Sequence, residues 1–197
     1  MTVVPSKTGL NYYKDTEGNF WAACIYIPES ITEETADSLE LCYKGGVGIG
    51  KFPADLVDFN HPLTETIEGF HNIRWRFQQW DEVIAANKAN RVDALSQEIS
   101  WISTRRDEML HFWTLVENGQ IPMRVTHNET KISNVLFDAL GNILCMIDLD
   151  TVMNSTSLND FGDAIRSYAN TGAEDDTDLK KVSIDMMRFQ AFTKGYL

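Results

Sequence analysis

The stretch Val125-Thr126-His127-Asn128-Glu129-Thr130-Lys131-Ile132-Ser133-Asn134-Val135-Leu136-Phe137, followed by Cys145-Met146-Ile147-Asp148-Leu149-Asp150-Thr151, decides how the chain is read. Its middle is polar and its flanks are apolar and β-branched. Met123–Thr126 therefore predicts a short strand, and Val135–Asp138 with Ile143–Ile147 predict a hairpin turning over Ala139–Asn142, where Gly141 supplies the turn. Asn134 enters that hairpin and Asp148 leaves it. A tight hairpin of this kind can present an amide oxygen and a strand-end carboxylate to one divalent cation from both sides.

Working outward, Gly18-Asn19 separates Leu10–Tyr13 from Phe20–Ile27, both rich in aromatic or β-branched residues, which predicts an antiparallel hairpin ended by Pro28. Ser30 to Glu34 carry hydroxyl caps followed by acids, so a helix is expected from there to about Phe59, weakened by internal glycines and broken by Asn60-His61-Pro62. Ile73, Phe77, Trp80 and Ile84 recur at helical spacing after Asn72. A third helix is expected from about Val92 to Val116, closed by Asn118-Gly119, and two more over Phe161–Ala169 and Asp178–Gly195. The apolar stripes are core faces. Hairpin, three helices, short strands with polar loops, then helices: this order predicts an α+β fold with most helices on one side. Alternating βαβ units are absent, which excludes a doubly wound sheet.

The chain has 197 residues and a formal charge of −12, enough for one medium domain, and at 43% hydrophobic it can bury a core. A sequence pI near 4.7 excludes a general nucleic-acid binder, because no broad basic face would release phosphate counterions. No apolar run approaches the length of a bilayer span, and the first residues lack a signal core, so a cytoplasmic location is expected. Cys24, Cys42 and Cys145, scattered and odd in number, are expected to be reduced core residues.

The polar segment fits the order of a kinase catalytic loop, H-x-D-x-x-x-x-N. His127 and Asn134 match, Glu129 stands at the aspartate position, and Lys131 follows where many kinases place a lysine that meets the transferred phosphate. Phosphoryl transfer asks a protein for a carboxylate that orients and deprotonates the attacking hydroxyl, and for oxygen ligands to Mg²⁺. An acid, Glu129, stands where the first is needed, and an amide oxygen and a strand-end carboxylate such as those of Asn134 and Asp148 can hold one metal. Two other motifs are decoys. Gly45-Gly46-Val47-Gly48-Ile49-Gly50-Lys51-Phe52 nearly spells a phosphate loop, but Phe52 has no hydroxyl for Mg²⁺ and no strand precedes it. It is expected to be a glycine-containing helix packed closely on a neighbour. Asp160-Phe161-Gly162 spells the kinase metal tripeptide but lies too far from Glu129, so Asp160 is expected to cap and open a helix.

At these residues the chain resembles the aminoglycoside phosphotransferase/choline kinase superfamily, and within it the N-acetylhexosamine 1-kinases of gut bacteria, some of them named mucin-desulfatase-related. Arg124–Asn128, Ile147–Met153, Asp160–Arg166, Ala173–Leu179 and Glu65–Asn72 carry the likeness, which covers nearly the whole chain. The resemblance implies a protein-kinase-like C-terminal lobe over residues 29–197 and a residual N-lobe hairpin and hinge over residues 1–28. It implies transfer of phosphate from ATP to an N-acetylhexosamine. Glu129 would be the catalytic base and Lys131 its companion. Asp150 would be a carboxylate either behind the metal ligands or on the sugar side, and Asn134 and Asp148 would hold Mg²⁺. His127, Tyr26 and Ile27 would serve the nucleotide, the last two at the hinge that meets adenine.

Three departures stand out. The family's base is aspartate, and Glu129 is one methylene longer, which moves the carboxylate by roughly 1.5 Å where a 1 Å misplacement costs about 10²-fold. Asn154-Ser155 replace a common Pro-Gly. Only nine residues precede Leu10, too few for a glycine-rich cover, a strand lysine and a helix glutamate, and Lys7 and Lys14 are poor substitutes. The expectation is thus a fragment of a sugar kinase, with the N-lobe largely missing, weak or inactive as this chain alone. The alternative is a non-catalytic kinase-like binding module. Apolar area exposed at the missing lobe predicts a homodimer.

Overall fold

The structure is a computed structural model describing residues 1–197, and it is α+β with short antiparallel strand pairs. In chain order the elements are β1 (Tyr13–Lys14), β2 (Phe20–Trp21), α1 (Leu39–Asp55), α2 (Ile73–Ala86), α3 (Ser96–Ser103), α4 (Arg106–Glu117), β3 (Arg124–Thr126), β4 (Val135–Phe137), β5 (Ile143–Met146), β6 (Met153–Ser155), α5 (Ser157–Tyr168) and α6 (Met186–Tyr196). The strands pair as β1–β2, β3–β6 and β4–β5, all antiparallel. No helix is long and apolar enough to cross a membrane.

The chain divides into two compact units. The first comprises Met1–Gly50, Thr130–Leu149 and Ala164–Leu197. Its core is apolar, with Cys42, Ile49, Ile132, Val135, Phe137, Tyr168 and Phe192 all essentially inaccessible. The glycines of α1 make this packing possible. A methyl group at Gly46 would overlap the Phe192 carbonyl, and one at Gly45 the Tyr168 ring. The near-match to a phosphate loop is thus a helix face cleared for α6 and the end of α5. Both expected hairpins are present, though the first pairs only Tyr13–Lys14 with Phe20–Trp21 and not the longer strands expected, and the β4–β5 turn has Gly141 at φ 74° as its sequence requires.

The second unit comprises Lys51–Glu129 and Asp150–Asp163. Helix α2 follows Asn72, as the sequence predicts, and Asn72 caps it by accepting the Trp75 N–H at 3.1 Å. Helices α2 and α4 are tied by Arg106, whose guanidinium meets both oxygens of Asp81 at 2.7 Å and lies over the Phe77 ring. Much of the core here is polar: Thr126, His127, Asn128, Thr151, Thr156 and Asp160 are all buried.

Several boundaries differ from expectation. Helix α1 starts at Leu39, not near Ser30, because Ile31 exchanges both backbone hydrogen bonds with Phe137 (2.9 and 2.8 Å) and Ser38 Oγ accepts the Leu41 N–H. The helix expected over 92–116 is broken. Ser103 Oγ donates to the Ile99 carbonyl, Thr104 Oγ1 to the Trp101 carbonyl, and Arg105 covers the Trp101 ring at 3.8 Å, so side chains compete with the helical ladder there. Helix α5 begins at Ser157, with Thr156 Oγ1 accepting the Leu158 N–H, so Asp160 is inside its first turn and is not the cap. Helix α6 begins at Met186, capped by Asp185, because Thr171 and Ser183 pair through their backbones and hydroxyl. All three cysteines are free, but Cys24 is exposed, since the β1–β2 region has little packed against it.

Candidate functional site

In the second unit, β3 delivers the loop Thr126–Glu129. Nearly every polar group of Asn128 is held. Its N–H donates to Asp160 Oδ1 at 2.7 Å. Its side-chain nitrogen donates to the Thr126 and Thr151 carbonyls at 3.2 and 2.9 Å, and its side-chain oxygen accepts the Thr126 hydroxyl at 3.0 Å. Its carbonyl meets His71 Nε2 at 3.0 Å. This web keeps Asn128 in the left-handed region at φ 67°, which asparagine tolerates better than most residues.

His127 is fully buried, with its N–H on Asp160 Oδ2 at 3.0 Å, its carbonyl accepting the Thr151 hydroxyl at 2.8 Å, and its ring edge-on to Phe52 at 5.6 Å. One buried carboxylate, Asp160, therefore takes two consecutive loop amides. Burial pushes that carboxyl up to about 6; the two amide bonds oppose the rise and nearby Asp163 adds to it. Glu129 follows, half-buried, and Asp150 is exposed, its carbonyl accepting the Thr66 hydroxyl at 2.7 Å.

In the first unit, the β4–β5 hairpin brings Asn134 and Asp148 to its open end. Val135 pairs with Met146, and the Ile147 N–H donates to the Asn134 carbonyl at 2.9 Å. At the closed end Asp138 accepts the N–H groups of Leu140 and Asn142 at 2.8 Å each, which pins the register. Asp148 is exposed and left-handed at φ 61°.

Asn134 and Asp148 offer an amide oxygen and a carboxylate, hard donors that fit a hard divalent cation such as Mg²⁺. No three His, Cys, Asp or Glu side chains gather as a metal cluster. Lys131, half-buried, lies in a cleft of about 420 Å³ with Arg166, Asn170 and Glu174. Arg166 bonds Glu174 at 2.8 Å and, with a smaller contribution from Lys131, holds that carboxyl below its usual range. Tyr26 is exposed and Ile27 half-buried, the Ile27 carbonyl accepting the Ser30 hydroxyl at 2.8 Å.

The structure thus joins His127 with Glu129 in one loop and Asn134 with Asp148 on one hairpin. Tyr26 is bonded to neither of the hairpin pair. Sequence reasoning missed Asp160, Asn128, Thr151 and His71. The signals were that Asp160–Gly162 spelled a motif in the wrong place and that all four fell in family-like runs: Asn128 in Arg124–Asn128, Thr151 in Ile147–Met153, Asp160 in Asp160–Arg166 and His71 in Glu65–Asn72.

The model of the phosphotransferase enzyme family matches residues 3–188.

Proposed function

As the chain belongs to the phosphotransferase enzyme family, of the aminoglycoside phosphotransferase/choline kinase superfamily, we propose that it carries phosphoryl-transfer chemistry from ATP to a hydroxyl of an amino sugar, with N-acetylhexosamine as the acceptor class. The observation that carries this reading is the pair Asn134 and Asp148 at the open end of one hairpin, tied by the Ile147-to-Asn134 backbone bond of 2.9 Å. They would hold Mg²⁺, which when bound offsets charge on the phosphate oxygens.

Glu129 accepts the proton of the attacking sugar hydroxyl. Lys131 holds the transferred phosphate by charge, and Asp150 orients the sugar. His127, Tyr26 and Ile27 serve the nucleotide, the last two meeting the adenine at the end of residues 1–28, which leaves the acceptor side to residues 29–197. A second reading, a module that binds MgATP without transfer, is favoured by Glu129 itself, whose added methylene displaces the carboxylate.

The experiment is transfer of labelled phosphate from ATP to N-acetylglucosamine or N-acetylgalactosamine, run beside thermal unfolding with and without MgATP. Turnover, with loss on Asp148→Asn, supports the enzyme. Mg²⁺-dependent stabilisation without turnover, together with no gain from Glu129→Asp, supports the binding module. Neither turnover nor stabilisation sinks both.

A further inference from the structure

We infer that His71 is a positioning residue for Glu129, acting through the peptide that joins it to Asn128; the inference rests on the phosphotransfer reading for its catalytic consequence alone. The His71 Nε2 atom lies 3.0 Å from the Asn128 carbonyl oxygen. A carbonyl only accepts, so this nitrogen carries the proton. The peptide is planar and trans, so fixing the Asn128 oxygen fixes the direction of the Glu129 N–H and the place of the Glu129 Cα from which its side chain departs. Asp160 and the Thr126 and Thr151 carbonyls restrain Asn128 on its N-terminal side and through its amide. On the C-terminal side, His71 holds the carbonyl of a left-handed residue, φ 67°, that would otherwise be free to swing.

His71 is itself pre-set. Glu65 accepts the Gly69 N–H at 3.0 Å, and the Asn72 N–H donates to the Gly69 carbonyl at 3.1 Å. Gly69 has φ 62° and lies against the Trp75 indole, where no other side chain fits. The Arg76 guanidinium donates to the Phe70 carbonyl at 3.1 Å, and the Phe70 ring sits 4.6 Å from the imidazole. Residues 65–72 are therefore a closed clasp with one side-chain donor directed at the loop. This accounts for the run Glu65–Asn72, which no role above had used.

The test compares His71→Met with His71→Gln. His71 and Asn128 line a cleft of about 300 Å³, so methionine fits without the donor and glutamine keeps one. The first readout is amide hydrogen exchange at Asn128 and Glu129, the two amides that flank the carbonyl His71 holds, and it needs no activity. Exchange about 10-fold faster in His71→Met, with wild-type protection in His71→Gln, is the expected result. Equal protection in His71→Met and wild type overturns the proposal, as does fast exchange in His71→Gln. Should His71→Met not fold, His71→Gln against wild type decides by the same criterion. The second readout is turnover: kcat falls about 10-fold or more in His71→Met with KM for the sugar little changed, and His71→Gln restores it. A wild-type chain without turnover defeats the phosphotransfer reading while leaving the exchange comparison to decide the role of His71.

Discussion

Asp15, at the turn of the β1–β2 hairpin, and Asp160, in the first turn of α5, both gather backbone N–H groups from irregular chain. Asp15 takes those of Glu17 and Asn19 at 2.9 and 2.8 Å, and also the Trp21 indole N–H at 2.8 Å. Asp160 takes those of His127 and Asn128 at 3.0 and 2.7 Å. The outcomes are opposite. At the exposed hairpin the Trp21 bond leads in drawing the carboxyl down to about 2, whereas burial drives Asp160 up to about 6 despite its two donors. Desolvation outweighs a pair of amide bonds. The molecule accepts that cost only where the loop must be held, and water supplies an alternative partner at the hairpin but not at Asp160.

The comparison breaks most visibly at Asp160. Asp160→Ala leaves two buried amides without an acceptor, and an expected loss of about 3–5 kcal/mol follows in urea unfolding. Its titration has a definite sign. Because the folded carboxyl sits above its unfolded value, the stability it lends is full below about pH 4 and is lost as pH rises through about 6. The expected decline across that window is about 3 kcal/mol, and Asp160→Asn should flatten it. Unfolding free energies that do not differ between pH 4 and 7, or that differ equally in Asp160→Asn, would show that Asp160 is not the group at work.

A contact without charge separates burial from electrostatics. In α1, a Cβ at Gly46 meets the Phe192 backbone carbonyl, which cannot yield as a side chain could. Gly162 in α5 has nothing within 4 Å of such a Cβ. Gly46→Ala should therefore cost about 1–3 kcal/mol in spite of better helix propensity, and Gly162→Ala should gain about 0.5–1 kcal/mol. The same sign at both sites in thermal unfolding would mean that propensity, not packing, governs these helices.

What was legible in the sequence was local. Gly141 in its turn, Asn72 at the start of α2 and the glycines of α1 as a packing face each depend on neighbours a few residues away, or on what glycine alone permits. The β4–β5 hairpin itself was readable for the same reason. The break at Ser103–Arg105 was hidden because apolar spacing continues across it, while hydroxyl bonds to carbonyls decide the backbone. The late start of α1 was hidden because Ile31 answers to Phe137. Asp160 was read as a cap because its partners, His127 and Asn128, lie 33 and 32 residues away in the chain. His71 reaches Asn128 over a separation of 57 residues, so no periodicity or motif announces it.

Asp15 gives the smallest effect and the sharpest control. Asp15→Asn keeps an oxygen for the Glu17 and Asn19 amides but removes the charge that the Trp21 indole N–H meets. Because Asp15 sits below its unfolded value, its contribution is present above about pH 4 and disappears as pH falls toward 2, the reverse of Asp160. The Trp21 indole N–H resonance should titrate in that acid range in the wild type and stay flat in Asp15→Asn. Global unfolding at neutral pH should be unchanged within the scatter of repeated scans, since water replaces what an exposed bond loses. An unfolding midpoint displaced as far as that of Asp160→Ala would overturn the claim that burial, and not the number of donors, sets what each carboxylate is worth.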